Sequence, residues 1–384
     1  RFYPEAEVTA HMIGFTDLDD QGKEGLEMSL NHLLAGQAGA KRVVKDLKGH
    51  RVQDVALLKA ANPGRDVTLS FDTRVQYAAY RELARGVAEH EASAGALVSL
   101  DVETGEVLAM ANVPSYNPNN RKKLTVNALR NRAVTDQFEP GSTLKPFTVA
   151  AALESGKYNT HSHFNTHPGT YRVLNKTIRD HDNYGVIDMT TLLTKSSNVA
   201  TAQIAMALPR DTLPLLHRRL GFGRNTGSGF PGESAGSIQP QSRWNPVEVA
   251  TMSYGYGVTV TALQLAQAYA VIASGGIQRP ISFTRVSGAV PGKRVLAEKI
   301  ARALIPMMET VVTQEGTALR AAVPGYRIAG KTGTAHKAQA GGYASDAYMS
   351  LFVGLAPASS PRVVSAVIID NPRKGGYYGG LAAA

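Results

Sequence analysis

Apolar positions along the chain outline the fold. Between Arg74 and Glu91, Val75, Ala78, Ala79, Leu83 and Val87 recur at helical spacing with charges opposite, which predicts an amphipathic helix. Ahead of it, the turn Pro63-Gly64 and the alternating stretch Val67–Phe71 predict a strand. Behind it, Ala94–Leu100 and Val107–Ala111 are short apolar runs around Glu103-Thr104-Gly105, the pattern of a hairpin. Tyr326–Gly330, Leu351–Ala356 and Val363–Ile369 predict further strands near the other end. The middle is helical in pattern over Thr148–Leu153, Met189–Ala207, Val247–Tyr254, Ala262–Ala273 and Glu298–Val312. Neither group of strands is large enough to form a sheet alone, so strands from both ends must pair. The predicted class is α+β, an antiparallel sheet flanked by helices with a helical subdomain between its halves. Residues 1–64 are rich in glycine and charge and hold few long apolar runs, which puts a boundary near residue 65 and leaves 65–384 as the main domain.

Composition narrows the function classes. Over 384 residues, 43% hydrophobic and 19% charged describes a folded, core-forming chain. The net charge of +10 fits an anionic partner, such as nucleic acid, a membrane surface or an anionic polymer. No Lys/Arg-rich run is interleaved with aromatics, so nucleic acid is not the expected choice. The absence of cysteine removes disulfides, thiolate metal sites and a cysteine nucleophile. No run of 18 or more apolar residues occurs. The chain starts at Arg1 with no methionine and no signal peptide, so an N-terminal part is expected to be missing.

Candidate chemistry lies in three short motifs. Gly141-Ser142-Thr143-Leu144-Lys145 follows the turn Glu139-Pro140 and opens an apolar helical run, which places Ser142 at a helix start with Lys145 one turn along the same face. A serine hydroxyl attacks an amide only with a base in contact. A lysine is such a base only when uncharged, so its pKa must fall from about 10.4 toward roughly 7–8, and burial and a helix N-terminus both push it down. Ser196-Ser197-Asn198 sits within or at the edge of a helical stretch. Gly330-Lys331-Thr332-Gly333-Thr334-Ala335 runs out of an apolar strand, where a glycine-containing edge lets a substrate backbone pair as an extra strand. Taken singly, each has an ordinary reading as a cap, a turn or an exposed strand. Together they stand in the order Ser-x-x-Lys, Ser-x-Asn, Lys-Thr-Gly, with 54 residues from Ser142 to Ser196 and 135 from Ser196 to Lys331. Each falls on the element its role requires, and the set is that of serine penicillin-binding proteins and class A β-lactamases.

The chain resembles the class B penicillin-binding proteins, most closely their division-specific transpeptidases. The likeness also includes Arg1-Phe2-Tyr3-Pro4-Glu5, Phe138-Glu139-Pro140, Phe230-Pro231-Gly232-Glu233, Tyr254-Gly255-Tyr256-Gly257 and Gly376-Tyr377-Tyr378-Gly379-Gly380, so it spans almost the whole chain. The resemblance implies a peptidoglycan D,D-transpeptidase that cross-links stem peptides during septal wall synthesis and is trapped by β-lactams. It further implies that residues 1–64 end a pedestal domain. By the same likeness the enzyme is anchored on the periplasmic side of the inner membrane by a helix outside this chain, and it works with divisome proteins including a lipid II glycosyltransferase. On matching residues, Ser142 would be acylated and Lys145 would take its proton. Ser196 and Asn198 would pass protons to the leaving amine and hold the substrate amide. Lys331, Thr332 and Thr334 would bind the carboxylate, with Ser197, Gly333 and His336 beside the ligand. The N–H groups of Ser142 and Thr334 would form an oxyanion hole, each donor worth roughly 3–4 kcal/mol. Tyr256, Tyr348, Tyr377 and Tyr378 would line the cleft. The implied chemistry calls for no cofactor and no metal.

Rival readings are a serine β-lactamase and a β-lactam sensor. Class A β-lactamases carry a deacylating glutamate in Glu-x-x-Leu-Asn between the second and third motifs, and here that pattern occurs only at Glu27–Asn31, far upstream of Ser142. His161, His163 and His167 prompt a metal reading, but their Gly/Pro/Asn-rich surroundings predict a solvated loop.

Overall fold

The computed structural model describes residues 1–240, 244–288, 290–339 and 342–384. Its centre is one antiparallel sheet built from both ends of the chain. The strands are β1 (Ala94–Asp101), β2 (Val107–Val113), β3 (Ala329–Gln339), β4 (Gly342–Ala356) and β5 (Val363–Asp370). They lie in the order β3-β4-β5-β1-β2, so the N-terminal hairpin docks beside β5. That register pairs Val98 with Ala366 and Leu100 with Val364.

β1 is buried on both faces, which requires cover on each. Helix α1 (Thr73–Glu89), capped by the Asp72 side chain on Arg74 N–H, packs against β1 and β2. A Cβ on Gly95 would lie 2.8 Å from Val87 and 2.9 Å from Leu83, so the lack of a side chain there lets α1 approach the sheet. Among the helices that follow are α2 (Lys145–Glu154), α3 (Met189–Thr194), α4 (Asn198–Ala207), α5 (Ala262–Ala273) and α6 (Glu298–Glu309). α5 starts with a capping box at Thr261 and Gln264 and packs on β1, β4 and β5. α6 packs against α2, α3 and β3 and so joins the helical subdomain to the sheet edge.

Several elements differ from expectation. Val67–Phe71 forms no strand; a single bridge from Leu69 to Thr284 is all that pairs it. Leu69 and Phe71 are half-buried against the main core without a partner strand of any length. The buried face of α1 carries Gln76, Leu83 and Val87, whereas Val75 is exposed. Gln76 displaces an apolar residue there because it serves a buried edge: its amide donates to the carbonyls of Val8 at 2.6 Å and Met110 at 3.0 Å, and its oxygen accepts from Met110 N–H at 2.8 Å. The helical run Met189–Ala207 breaks into α3 and α4 at Ser196, which has φ +58°. β3 runs through the Lys-Thr-Gly motif rather than ending before it.

Residues before 65 divide into two parts. Met12 and Leu26 belong to the main core, and Tyr116 and Asn131 bond to the Ala10 and His11 carbonyls. The hairpin Ala40–Lys45/Arg51–Lys59 has almost every residue exposed. The histidines at 161, 163 and 167 lie on and around a short ribbon, His163–Asn165 paired with Val186–Asp188. Among the described residues, no group of three or more His, Cys, Asp or Glu side chains is placed to hold a metal ion.

Gln76→Leu removes three hydrogen bonds and leaves Met110 N–H buried and unpaired. It should lower unfolding stability by about 2–4 kcal/mol, read as a drop in urea midpoint at unchanged slope. A variant as stable as the parent would show that these bonds do not hold α1 to β2.

Candidate active site

Ser142 lies in a 3-10 turn, Gly141–Leu144, that runs directly into α2. The turn is held from three sides. Thr143 Oγ1 donates to the Pro140 carbonyl at 2.7 Å, and buried Tyr269 of α5 donates to the Thr143 carbonyl at 2.6 Å. Gly141 N–H donates to the Gly255 carbonyl at 3.1 Å. The fourth neighbour is β3. A Cβ on Gly333 would lie 2.8 Å from Thr143 Cγ2 and 2.9 Å from the Pro140 carbonyl, so glycine in the Lys-Thr-Gly motif is what lets the serine turn sit against the strand. Gly141 adopts φ +53° in the same contact, facing the Thr334 carbonyl.

Lys145 is fully buried at the start of α2. Its Nζ donates to the Ser196 carbonyl at 2.5 Å, to Ser196 Oγ at 3.0 Å and to Asn198 Oδ1 at 2.7 Å. Lys331, also fully buried, reaches the same Ser196 Oγ at 3.0 Å and donates to the Thr332 carbonyl at 3.2 Å. One hydroxyl therefore bridges two buried lysines. Desolvation, followed by the nearby charge of Lys331, holds the Lys145 pKa well below the usual lysine range, with Asp180 opposing. Desolvation brings Lys331 to about 7.

Ser196 meets these groups because of the break between α3 and α4. Its left-handed backbone ends α3 and turns both its carbonyl and its hydroxyl toward Lys145. Ser197 then caps α4, accepting from Ala200 N–H at 3.0 Å and donating to Asp180 at 2.6 Å. Ser197 is fully buried, so it does not sit beside a ligand as expected; the cap uses its hydroxyl. Asp180 also accepts from the Asn198 and Val199 N–H groups, at 2.5 and 3.0 Å. Asn198 Nδ2 donates to the Arg179 carbonyl at 2.9 Å. Asp180 was not foreseen: it lies in a polar loop, and only the folded chain brings it to the start of α4.

These groups open into a cleft of about 690 Å³ lined by Ser142, Ser196 and Asn198 on one side and Thr332, Gly333 and Thr334 on the other. β3 is an edge strand, so the cleft runs along an unpaired sheet edge. Thr332 Oγ1 is 2.6 Å from Thr317 Oγ1, and Thr334 Oγ1 accepts from Gly379 N–H at 3.0 Å. An aromatic wall closes one side. Tyr348 and Tyr377 stack at 3.9 Å, Tyr378 follows at 4.6 Å, and His181 meets Tyr378 edge-on at 5.8 Å. His336 packs on Tyr348 at 4.7 Å and donates from Nδ1 to the Ala344 carbonyl at 3.0 Å. Tyr256 lines the cleft beyond it. His181, Lys195 and Thr317 also line the cleft and carry no motif that marks them in the sequence.

The arrangement sets a buried lysine of lowered pKa one turn from a serine at the cleft, places threonine hydroxyls on the opposite wall and leaves the β3 edge open to an extended peptide. Comparison with known proteins agrees. The family model described as penicillin binding protein transpeptidase domain matches residues 95–384. The peptidoglycan D,D-transpeptidase FtsI of Escherichia coli K12 is 46% identical over 384 residues, all of this chain, which spans 65% of that relative's length. The probable peptidoglycan D,D-transpeptidase PenA of Neisseria flavescens is 44% identical over 370 residues, 96% of this chain and 92% of the relative. Among solved structures, the apo transpeptidase domain of Burkholderia pseudomallei penicillin-binding protein 3 superposes with a TM-score of 0.76 at 38% identity, covering 84% of this chain and 93% of that one. By domain, sequence and fold, the chain belongs to the penicillin-binding protein transpeptidase family.

Proposed function

We propose that this chain is a serine D,D-transpeptidase that cross-links peptidoglycan stem peptides, with Ser142 as its nucleophile. The observation that carries the reading is the Lys145–Ser196–Lys331 bridge beside Ser142 at the edge of β3. Lys145 neutral takes the Ser142 proton as Oγ adds to the carbonyl of the penultimate D-alanine. The oxyanion forms against the N–H groups of Ser142 and Thr334. The amide C–N bond then breaks, and the departing D-alanine amine receives a proton relayed from Lys145 through Ser196 Oγ. An amine of a second stem attacks the ester and passes its proton by the same relay to Lys145, which returns it to Ser142 Oγ as the ester C–O bond breaks, leaving a new cross-link and free enzyme. Lys331, Thr332 and Thr334 hold the terminal carboxylate. A β-lactam follows the first half of this course, but its leaving nitrogen stays tethered and blocks the second. Residues 1–64 are assigned to the end of a pedestal. A role in septal synthesis, anchoring at the periplasmic face of the inner membrane and work beside divisome proteins, including a lipid II glycosyltransferase, complete the proposal; the relatives' names as peptidoglycan D,D-transpeptidases support the cross-linking activity.

A β-lactamase reading has less support. Glu27, in the one Glu-x-x-Leu-Asn pattern, is buried in the helix Gly25–Ser29 and paired with Arg1 rather than lining the cleft.

Benzylpenicillin should add its full mass at Ser142 and stay bound after drug removal, and Ser142→Ala should abolish labelling with its thermal unfolding unchanged. Intact mass spectrometry and peptide mapping decide this; an adduct elsewhere, or free enzyme regained within seconds, defeats the assignment.

Lys145→Arg keeps the charge but cannot be a base, because arginine's pKa exceeds 12. Acylation should fall at least about a hundredfold, the usual contribution of a positioned base. Near wild-type acylation would make Lys145 an electrostatic partner only.

The two depressed lysines set a pH dependence. Lys145 is held well below the ordinary lysine range and Lys331 loses its charge near 7, and the proposed working form has Lys145 neutral and Lys331 charged. The second-order acylation constant for a carboxylate-bearing β-lactam should therefore decline above about pH 7 as free enzyme loses the Lys331 charge. A constant that stays level or rises to pH 9 would show that Lys331 does not bind the carboxylate as a cation.

A further inference from the structure

Glu139 precedes Ser142 by three positions and takes no part in the proposed chemistry. It lies half-buried where two segments and the β3–β4 pair converge. Its own segment runs antiparallel to the one after Tyr256: Phe138 N–H donates to the Val260 carbonyl at 3.0 Å, and Val260 N–H returns to Phe138 at 2.9 Å. The segments touch through backbone, because a Cβ on Gly255 would fall 2.0 Å from the Gly141 carbonyl oxygen. Across this junction Glu139 Oε1 accepts from Gly257 N–H at 2.8 Å and from the Tyr343 hydroxyl at 3.1 Å.

Tyr343 belongs to β4, at the end of the strand pair where it faces Ala338. Its ring meets Tyr256 edge-on at 5.6 Å. His336 and Tyr348 face each other on the same pair, and both line the cleft, as does Tyr256. One carboxylate oxygen thus joins the segment that leads into Ser142 to the strand pair that carries a wall of the cleft. The other oxygen, Oε2, is buried with no hydrogen-bond partner. Burying an unpaired polar atom is unfavourable, so a residue that merely filled this space would be apolar. The feature that calls for a carboxylate is the two-point grip of Oε1.

The geometry points to Glu139 as a positioning residue that latches the β3–β4 pair, through Tyr343, onto the serine segment and so sets the opening of the cleft between Tyr256 and His336. The kinetic part of its test rests on the proposed acylation at Ser142, and the exchange part does not. Three variants separate the contributions. Glu139→Ala removes the grip, Glu139→Gln keeps an acceptor oxygen, and Tyr343→Phe keeps the ring on Tyr256 and loses only the hydroxyl. Tyr343 is 50% exposed, so its variant should fold even where Glu139→Ala is destabilised.

Hydrogen–deuterium exchange should quicken at Gly257 and along the start of β4 in Glu139→Ala, and along β4 alone in Tyr343→Phe. The second-order constant for a fluorescent penicillin should fall roughly five- to tenfold in Glu139→Ala and less in Tyr343→Phe, the size expected of one or two net hydrogen bonds, and Glu139→Gln should stay within about twofold of the parent. The double variant should be no slower than Glu139→Ala, since both remove one linkage. Parental exchange along β4 in Glu139→Ala and Tyr343→Phe overturns the latch, as do additive losses or a Glu139→Gln as slow as Glu139→Ala. A parent that never acylates overturns Ser142 instead, and the exchange result still decides the latch.

Discussion

Two lysines buried around one hydroxyl are the constraint on which the site depends. Each Nζ lies 3.0 Å from Ser196 Oγ, so the two nitrogens are at most about 6 Å apart. At an effective dielectric near 20, two positive charges at that separation repel by about 3 kcal/mol. Burial opposes both charges further. The pair therefore sheds one proton where isolated lysines would hold two. Lys145 has three acceptors around it, the Ser196 carbonyl, Ser196 Oγ and Asn198 Oδ1, so an ammonium formed there on taking up a proton is held by three hydrogen bonds. In the proposed mechanism no separate base is needed, because burial and a neighbouring charge make one from a residue that is ordinarily an acid.

Keeping that geometry has a cost, and the structure shows where it is offset. A left-handed serine costs about 1–2 kcal/mol relative to a relaxed backbone. Ser196 adopts that conformation between two helices, and the start of α4 is fastened at once by the Ser197 cap and by Asp180 on two N–H groups. Asp180 also raises the Lys145 pKa. A carboxylate at this helix start therefore fixes the turn and keeps the lysine from becoming too weak a base.

What was legible in the sequence follows from the range of each interaction. The sheet could be read because β1, β2 and β5 are continuous apolar runs, and the start of α2 because Glu139-Pro140-Gly141 announces a turn. The break at Ser196 could not, because two serines in a helical run carry no local sign that one must turn left-handed. Ser197 was placed beside the ligand by its neighbours in sequence, yet Asp180, 17 residues upstream, takes its hydroxyl. Val67–Phe71 shows the opposite failure: its alternation is real, but no strand is free to pair with it. Gln76 defied the apolar face of α1 because Met110, 34 residues away, needed both a donor and an acceptor there. Local periodicity registers burial and stays silent about which distant backbone group a buried polar side chain must satisfy.

The placement of the site at an edge strand follows from the same physics. An unpaired edge invites association with any extended chain, and proteins usually protect such edges. Here the serine turn and the Tyr254–Gly257 loop stand close to β3 and leave a slot rather than an open flank. Gly333 carries no side chain into that slot, so an extended peptide can approach the backbone, and in the proposed reading its carboxylate meets Lys331 and the threonine hydroxyls. A hazard of sheet architecture thereby becomes the means of orienting a peptide, since strand pairing fixes the direction and register of a bound chain before any side chain is recognised. Any Cβ at 333 would push the serine turn away from β3, separating Ser142, the proposed nucleophile, from the edge proposed to align its target.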